Sequence, residues 1–271
     1  MEYFIQAIPS TNVTVMMIVA VVCILGPLLA AVIAAVRFRT GPMPILMGVL
    51  VYVMAQLLVR TPLLNLVFSL PGFSAFMETH PVWNDFLLSF TTAVVEELAR
   101  WAAFLFVMKQ RYDDHNAIAY GIGHGGAEVI LTAGFAYVGY YFMAQSVNVS
   151  FNTTVDPEFS EQLMIASENL LKISPRDMFL TIIMQAAAVC MHVLYSFLIV
   201  RGIMNKSSVI TVPLAIAAHF FYLLLQSLLT LLPEGIIWKA FFSGAVATCA
   251  VYYLLEARRR AVMAEYERKR K

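Results

Sequence analysis

The sequence predicts an all-α, polytopic membrane protein with seven transmembrane helices, its N-terminus outside and its C-terminus cytoplasmic. Three observations predict it. Hydrophobic residues make up 61% of the chain and charged residues only 13%, with mean hydropathy +0.77, whereas a soluble domain carries about 25% charge. Seven apolar runs approach or exceed the roughly 20 residues that a helix needs to cross a hydrocarbon core of about 30 Å. Thirteen of the eighteen Lys and Arg residues then fall on one side of those runs, and a Lys/Arg excess marks cytoplasmic loops.

The first run, 13–36, has no basic segment before it, so it reads as a span and not as a cleaved signal peptide. Arg37 and Arg39 follow it. The second, 44–70, contains Arg60-Thr61-Pro62, where proline is expected to kink the helix or end it before an interfacial segment. The third, 83–108, holds VVEELARW and stops at Lys109 and Arg111. The fourth, 117–144, opens with YGIGHGGAEVIL and leads into a polar external loop at about 145–175, which reads as a solvated connector. The fifth, 176–200, ends at Arg201 and Lys206; the sixth and seventh cover 209–232 and 236–256. A basic cytoplasmic tail, 257–271, closes the chain. Residues 1–271 are expected to form one integral-membrane domain in the cell membrane, with its catalytic spans at about 83–232. Cys23, Cys190 and Cys249 all lie in apolar runs and read as buried thiols. The net charge of +1 gives no basis for a nucleic-acid partner.

Inside the spans sit residues that cost roughly 3 kcal/mol each when placed at the middle of a bilayer. They are Glu96, Glu97 and Arg100 in the third span, His124 and Glu128 in the fourth, His192 in the fifth and His219 in the sixth. Arg100 follows Glu96 by four residues and Glu97 by three, so it can pair with either on one helix face. His124 and Glu128, four apart, also share a face. Gly121, Gly123, Gly125 and Gly126 surround that histidine and let neighbouring helices approach. At ~1.5 Å per residue, all of these groups fall roughly 12–18 Å below the cytoplasmic surface. Ionisable groups from four helices in one layer read as a functional cavity. Gln56, Gln185 and Gln226 read as hydrogen-bonding glue between helices, and His80 and His115 as ordinary loop residues.

With VVEELARW, YGIGHGGAEVIL, CMHVLYS and AIAAHFFYL in view, the sequence resembles the YhfC family of intramembrane proteases. That family is a branch of the wider group containing PrsW-type proteases and type II CAAX prenyl proteases. The resemblance implies a glutamic-type mechanism, in which a glutamate and a histidine activate water while another histidine steadies the oxyanion. It maps Glu96 and Glu97 onto the double glutamate, Arg100 onto the basic position, and His124 with Glu128 onto the second motif. His192 and His219 take the places of the later histidines. The CAAX-type asparagine four residues after the final histidine has no counterpart, because Ser196 and Leu223 stand there; Ser196 or Tyr222 is left as the second oxyanion donor.

The expected activity is therefore intramembrane endoproteolysis without a cofactor. Its partners are the lipid bilayer and a membrane-embedded or membrane-associated peptide substrate. Peptide hydrolysis needs a base for water, an acid for the leaving amine and donors facing the oxyanion, and this set can supply them. A rival is a zinc-dependent membrane hydrolase of a peptide or lipid amide, with His124, His192 and His219 as ligands. An ion-coupled transporter would also use intramembrane Glu, Arg and His, but the related halves common in transporters are missing from the sequence. A scaffold with a dead site is the remaining alternative.

Overall fold

The computed structural model describes residues 6–151 and 157–270, and among them there are helices and no strand. Residues 152–156 of the expected loop and Lys271 of the basic tail lie outside the described residues. In chain order the helices are α1 (Ser10–Phe38), α2 (Met43–Met54), α3 (Thr61–Phe68), α4 (Phe73–Thr79), α5 (Pro81–Ala102), α6 (Asp114–Val129), α7 (Phe135–Phe151), α8 (Pro157–Leu171), α9 (Pro175–Met204), α10 (Ser208–Leu228) and α11 (Gly235–Arg270).

Among the described residues, six helices are long and apolar enough to cross a membrane: Ser10–Phe38, Met43–Phe68, Asp114–Phe151, Pro175–Met204, Ser208–Leu231 and Gly235–Arg260. The helix carrying VVEELARW, α5 with the turn that extends it, is not among them. Its polar residues, Glu96, Glu97 and Arg100 included, lower its apolar character.

Two of the long helices contain a widened turn. A wider, π-helical turn, Ala55–Arg60, joins α2 to α3, so the second run does not end at Arg60-Thr61-Pro62. Pro62 has no N–H for the Leu58 carbonyl, and its ring crowds that turn, which opens the helix without stopping it. Similar turns, Ala103–Val107 and Ile130–Gly134, follow α5 and join α6 to α7. The segment 145–175 also differs from a plain connector. The helix α7 runs on to Phe151, and α8 occupies Pro157–Leu171 with Leu163 and Leu170 buried in the core beside α1. A polar sequence disguised a helix with one apolar face.

The centre of the bundle is the pair α6 and α9. Around it α1 and α2 pack on α6, α10 and α11 pack on α9, and α5 lies against α10 and the widened turn after α2. Lipid tails are as apolar as leucine, so close backbone approach has to hold such helices together. Glycine makes that approach possible. A Cβ on Gly121 would sit 2.5 Å from the Val193 Cα of α9, and one on Gly123 would overlap the Ile45 carbonyl of α2. Gly48 on α2 answers the second contact by lying against the Tyr120 carbonyl. At the end of α6, Asp113 caps the helix through the Asn116 N–H at 2.9 Å, and Asp114 receives Arg201 of α9 at 2.6 and 2.8 Å.

Gly123→Ala must push α2 off α6, because the atom it meets is backbone. Thermal unfolding in detergent should show a loss on the scale of overpacking, about 1–3 kcal/mol. Gly139→Ala, whose new Cβ meets nothing within 4 Å, should leave stability unchanged or slightly higher. Equal melting of the two variants would contradict this packing.

Candidate active site

The four helices α5, α6, α9 and α10 bring the polar residues of the spans to one place. Glu96, Glu97, Arg100, His124, His192 and His219 are all at most 2% exposed. The three histidine rings are contiguous, with centroids 4.8 Å apart for His124 and His192 and 5.2 Å for His192 and His219. Glu128 sits at the edge of the cluster with 24% of its side chain exposed.

Arg100 organises the network. Its Nε lies 3.2 Å from Glu97 Oε2, an ion pair out of hydrogen-bonding line. Its Nη1 donates to the His192 carbonyl and to Ser196 Oγ, both at 2.7 Å, and its Nη2 donates to His192 Nδ1 at 2.8 Å. Tyr120 and Tyr195 flank the guanidinium, each ring centroid 5.8 Å away.

These partners fix the histidine tautomers. Guanidinium only donates, so His192 Nδ1 accepts and its proton sits on Nε2, which donates to Glu128 Oε2 at 2.5 Å. His219 Nδ1 lies 2.9 Å from Glu97 Oε1, so with the carboxylate as acceptor the lone pair is left on Nε2. His124 Nε2 lies 3.0 Å from Glu96 Oε2, and its buried Nδ1 has no hydrogen-bond partner among the described residues. The motif of alternating carboxylates and imidazoles thus gives Glu96–His124, Glu97–His219 and Glu128–His192.

One ligand atom from each of Glu96, His192 and His219 lies within 4.8 Å of the other two. Tetrahedral zinc holds donors about 3.3 Å apart, so a modest contraction would close this set. His219 is presented as such a ligand, with a carboxylate on one nitrogen and no hydrogen-bond partner for the other among the described residues. His192 is presented less well, since both its nitrogens are engaged. The expected zinc set of three histidines differs in one member: Glu96 takes the place of His124.

Several residues were read differently from the sequence. Ser196, a candidate oxyanion donor, is committed to Arg100 and to the His192 carbonyl at 2.8 Å. Tyr222, the other candidate, stacks on Phe242 of α11, ring centroids 5.9 Å apart. Gln56 is more than glue between helices, because its amide donates to Glu96 Oε1. Nothing in its sequence context distinguishes it from Gln185 or Gln226. His80 and His115 lie outside the cluster, stacked on Phe76 and Phe38.

Comparison with known proteins gives the family. The family described as YhfC intramembrane metalloprotease matches residues 18–246, which include every residue of the cluster. The "Uncharacterized membrane protein YhfC" of Bacillus subtilis (strain 168) is 25% identical over 190 residues, covering 66% of this chain and 70% of that protein. No solved structure matches the chain. The chain is a multi-pass membrane protein and belongs to the YhfC intramembrane metalloprotease family.

Proposed function

We propose that the chain is an intramembrane endopeptidase that hydrolyses a peptide bond at the Glu96–His192–His219 cluster, with a divalent metal of the zinc class as its cofactor. The convergence of those three ligand atoms within 4.8 Å carries this reading. Zinc, when bound by two histidines and a carboxylate with a fourth position open, supplies an acidified water and polarises a carbonyl. Glu97 orients His219 through Nδ1, and His124 holds Glu96 through Oε2. Arg100 supplies the counter-charge among the three carboxylates. Glu128, the one carboxylate here with an accessible side chain, takes the proton from water and returns it to the leaving amine.

The metal-free glutamic mechanism expected from the sequence becomes the second reading. One observation favours it: Arg100 occupies His192 Nδ1, so ligation through Nε2 requires the ring to leave that contact. In that case Glu96 is the base, paired with His124.

We propose further that Pro81–Val107 spans the bilayer as the seventh helix, because its Glu96, Glu97 and Arg100 are turned wholly inward. The C-terminal tail is then cytoplasmic, in keeping with the basic-residue bias, and the substrate is a peptide in or beside the membrane.

Metal content separates the two mechanisms. The purified protein should hold near-stoichiometric zinc, lost in His219→Ala and in Glu96→Gln. Cleavage of peptides from a quenched-fluorescent apolar library should stop with chelator and return with zinc. Cleavage that ignores chelator in a zinc-poor preparation would establish the metal-free reading instead.

Topology has its own test. In a cysteine-free background, Glu161→Cys should react only with an impermeant thiol reagent outside the cell, and Arg259→Cys only after the cytoplasmic face is opened. The opposite pattern would invert the proposed orientation.

A further inference from the structure

Arg60 is an expensive residue to keep in a membrane-spanning helix, and it has no part in the Arg100 network. It lies half-buried at the end of the widened turn after α2 and points its guanidinium at α5. Nη2 donates to the Leu88 carbonyl at 3.2 Å and Nε to Thr91 Oγ1 at 3.4 Å. Thr91 gives its own proton to the Leu87 carbonyl at 2.8 Å, so its oxygen is free to accept. The remaining arm, Nη1, donates to Gln56 Oε1 at 3.2 Å.

That last contact has a chemical consequence. The oxygen and nitrogen of a glutamine amide are otherwise interchangeable, and only the surrounding donors and acceptors decide which faces where. Guanidinium cannot accept, so Gln56 must turn its oxygen to Arg60 and its NH₂ to Glu96 Oε1. His124 holds the other carboxylate oxygen. Glu96 is therefore gripped at both oxygens; its acceptor-only carboxylate and the Arg60 donor select the same orientation of the Gln56 amide, which Arg60 anchors at its far end. The spacing of four residues puts Arg60 and Gln56 on one face, and both sit in a π-helical turn, a feature found often at functional sites.

We propose that Arg60 and Gln56 are a positioning pair for Glu96: Arg60 orients the Gln56 amide, and that amide fixes the carboxylate at the reaction centre. The proposal rests on Glu96 being that centre, which both mechanistic readings share. Partners one step removed from a metal ligand or a reacting group are typically worth 10–100-fold in affinity or turnover. Lysine can still donate to Gln56 Oε1, whereas methionine cannot.

The direct test is the side-chain amide spectrum of protein labelled with ¹⁵N-glutamine in nanodiscs, with the Gln56 resonance identified by its loss in Gln56→Leu. In the wild type one Gln56 amide proton should be shifted downfield by the carboxylate. It should move upfield in Glu96→Gln and in Arg60→Met, and stay in place in Arg60→Lys. A Gln56 resonance indifferent to either Glu96→Gln or Arg60→Met would overturn the proposal; if Arg60→Met does not fold, Arg60→Leu is read in its place. On a library peptide that the wild type cleaves, Arg60→Met and Gln56→Leu should each lose about 10–100-fold in kcat with KM little changed. Arg60→Lys should recover most of it, and the double variant should lose no more than either single. Additive losses would assign Arg60 to helix packing alone and defeat the pair. If the wild type cleaves no peptide, the proposed activity fails, while the amide spectrum still decides the pair.

Discussion

The buried guanidinium of Arg100 is the interaction on which the rest depends. It is fully enclosed; its contacts with the His192 carbonyl and ring and with Ser196 join α5 to α9, while Glu97 of its own helix lies beside it as the counter-charge. A buried charge is tolerable only when its partners are in place, and removing one member of such a pair costs about 3–5 kcal/mol. Lysine would carry the same charge but could not make this fork of directed donors. Arg100 also decides chemistry, because it sets the tautomer of His192 and so places the proton on the nitrogen that donates to Glu128.

The packing around α6 follows from that constraint. Short imidazole and carboxylate side chains reach one another across helices only if the backbones come close. Gly121 permits α9 to approach beside His192, and Gly125 lies against Val189 and the His192 side chain itself. Gly48 and Gly123 bring α2 in on the other side, with Tyr52 edge-on to His124 at 5.3 Å between ring centroids. The glycine-rich stretch and the polar cluster are thus one device. The glycines give up side-chain contacts so that the histidine and its acidic partners can meet.

Much of this was legible in the sequence because membrane helices leave few options. Six of the seven apolar runs read as spans coincide with the long apolar helices, and the ionisable residues placed in one layer come from α5, α6, α9 and α10, which meet at one place. The pairings were not legible. Glu97 could have faced His124 as readily as His219, since spacing along one helix says nothing about rotation against its neighbours. Gln56 and Arg60 read in the sequence as interhelical glue and as part of a kink or helix end, because that is what an amide and an arginine in a proline-containing run ordinarily are. Ser196 looked like an available donor, and only the position of Arg100 shows that it is already in use. The region 145–175 misled for a different reason: its polar composition hid the apolar face that buries Leu163 and Leu170.

The central claim is that this network presents Glu96, His192 and His219 to a metal. Anomalous diffraction at the zinc edge, from crystals of the protein purified without added chelator, tests it most directly. The account predicts one peak among those three side chains, bonded to His219 Nε2, with Glu97 still on Nδ1. Ordered density for the three side chains with no anomalous peak between them would contradict it.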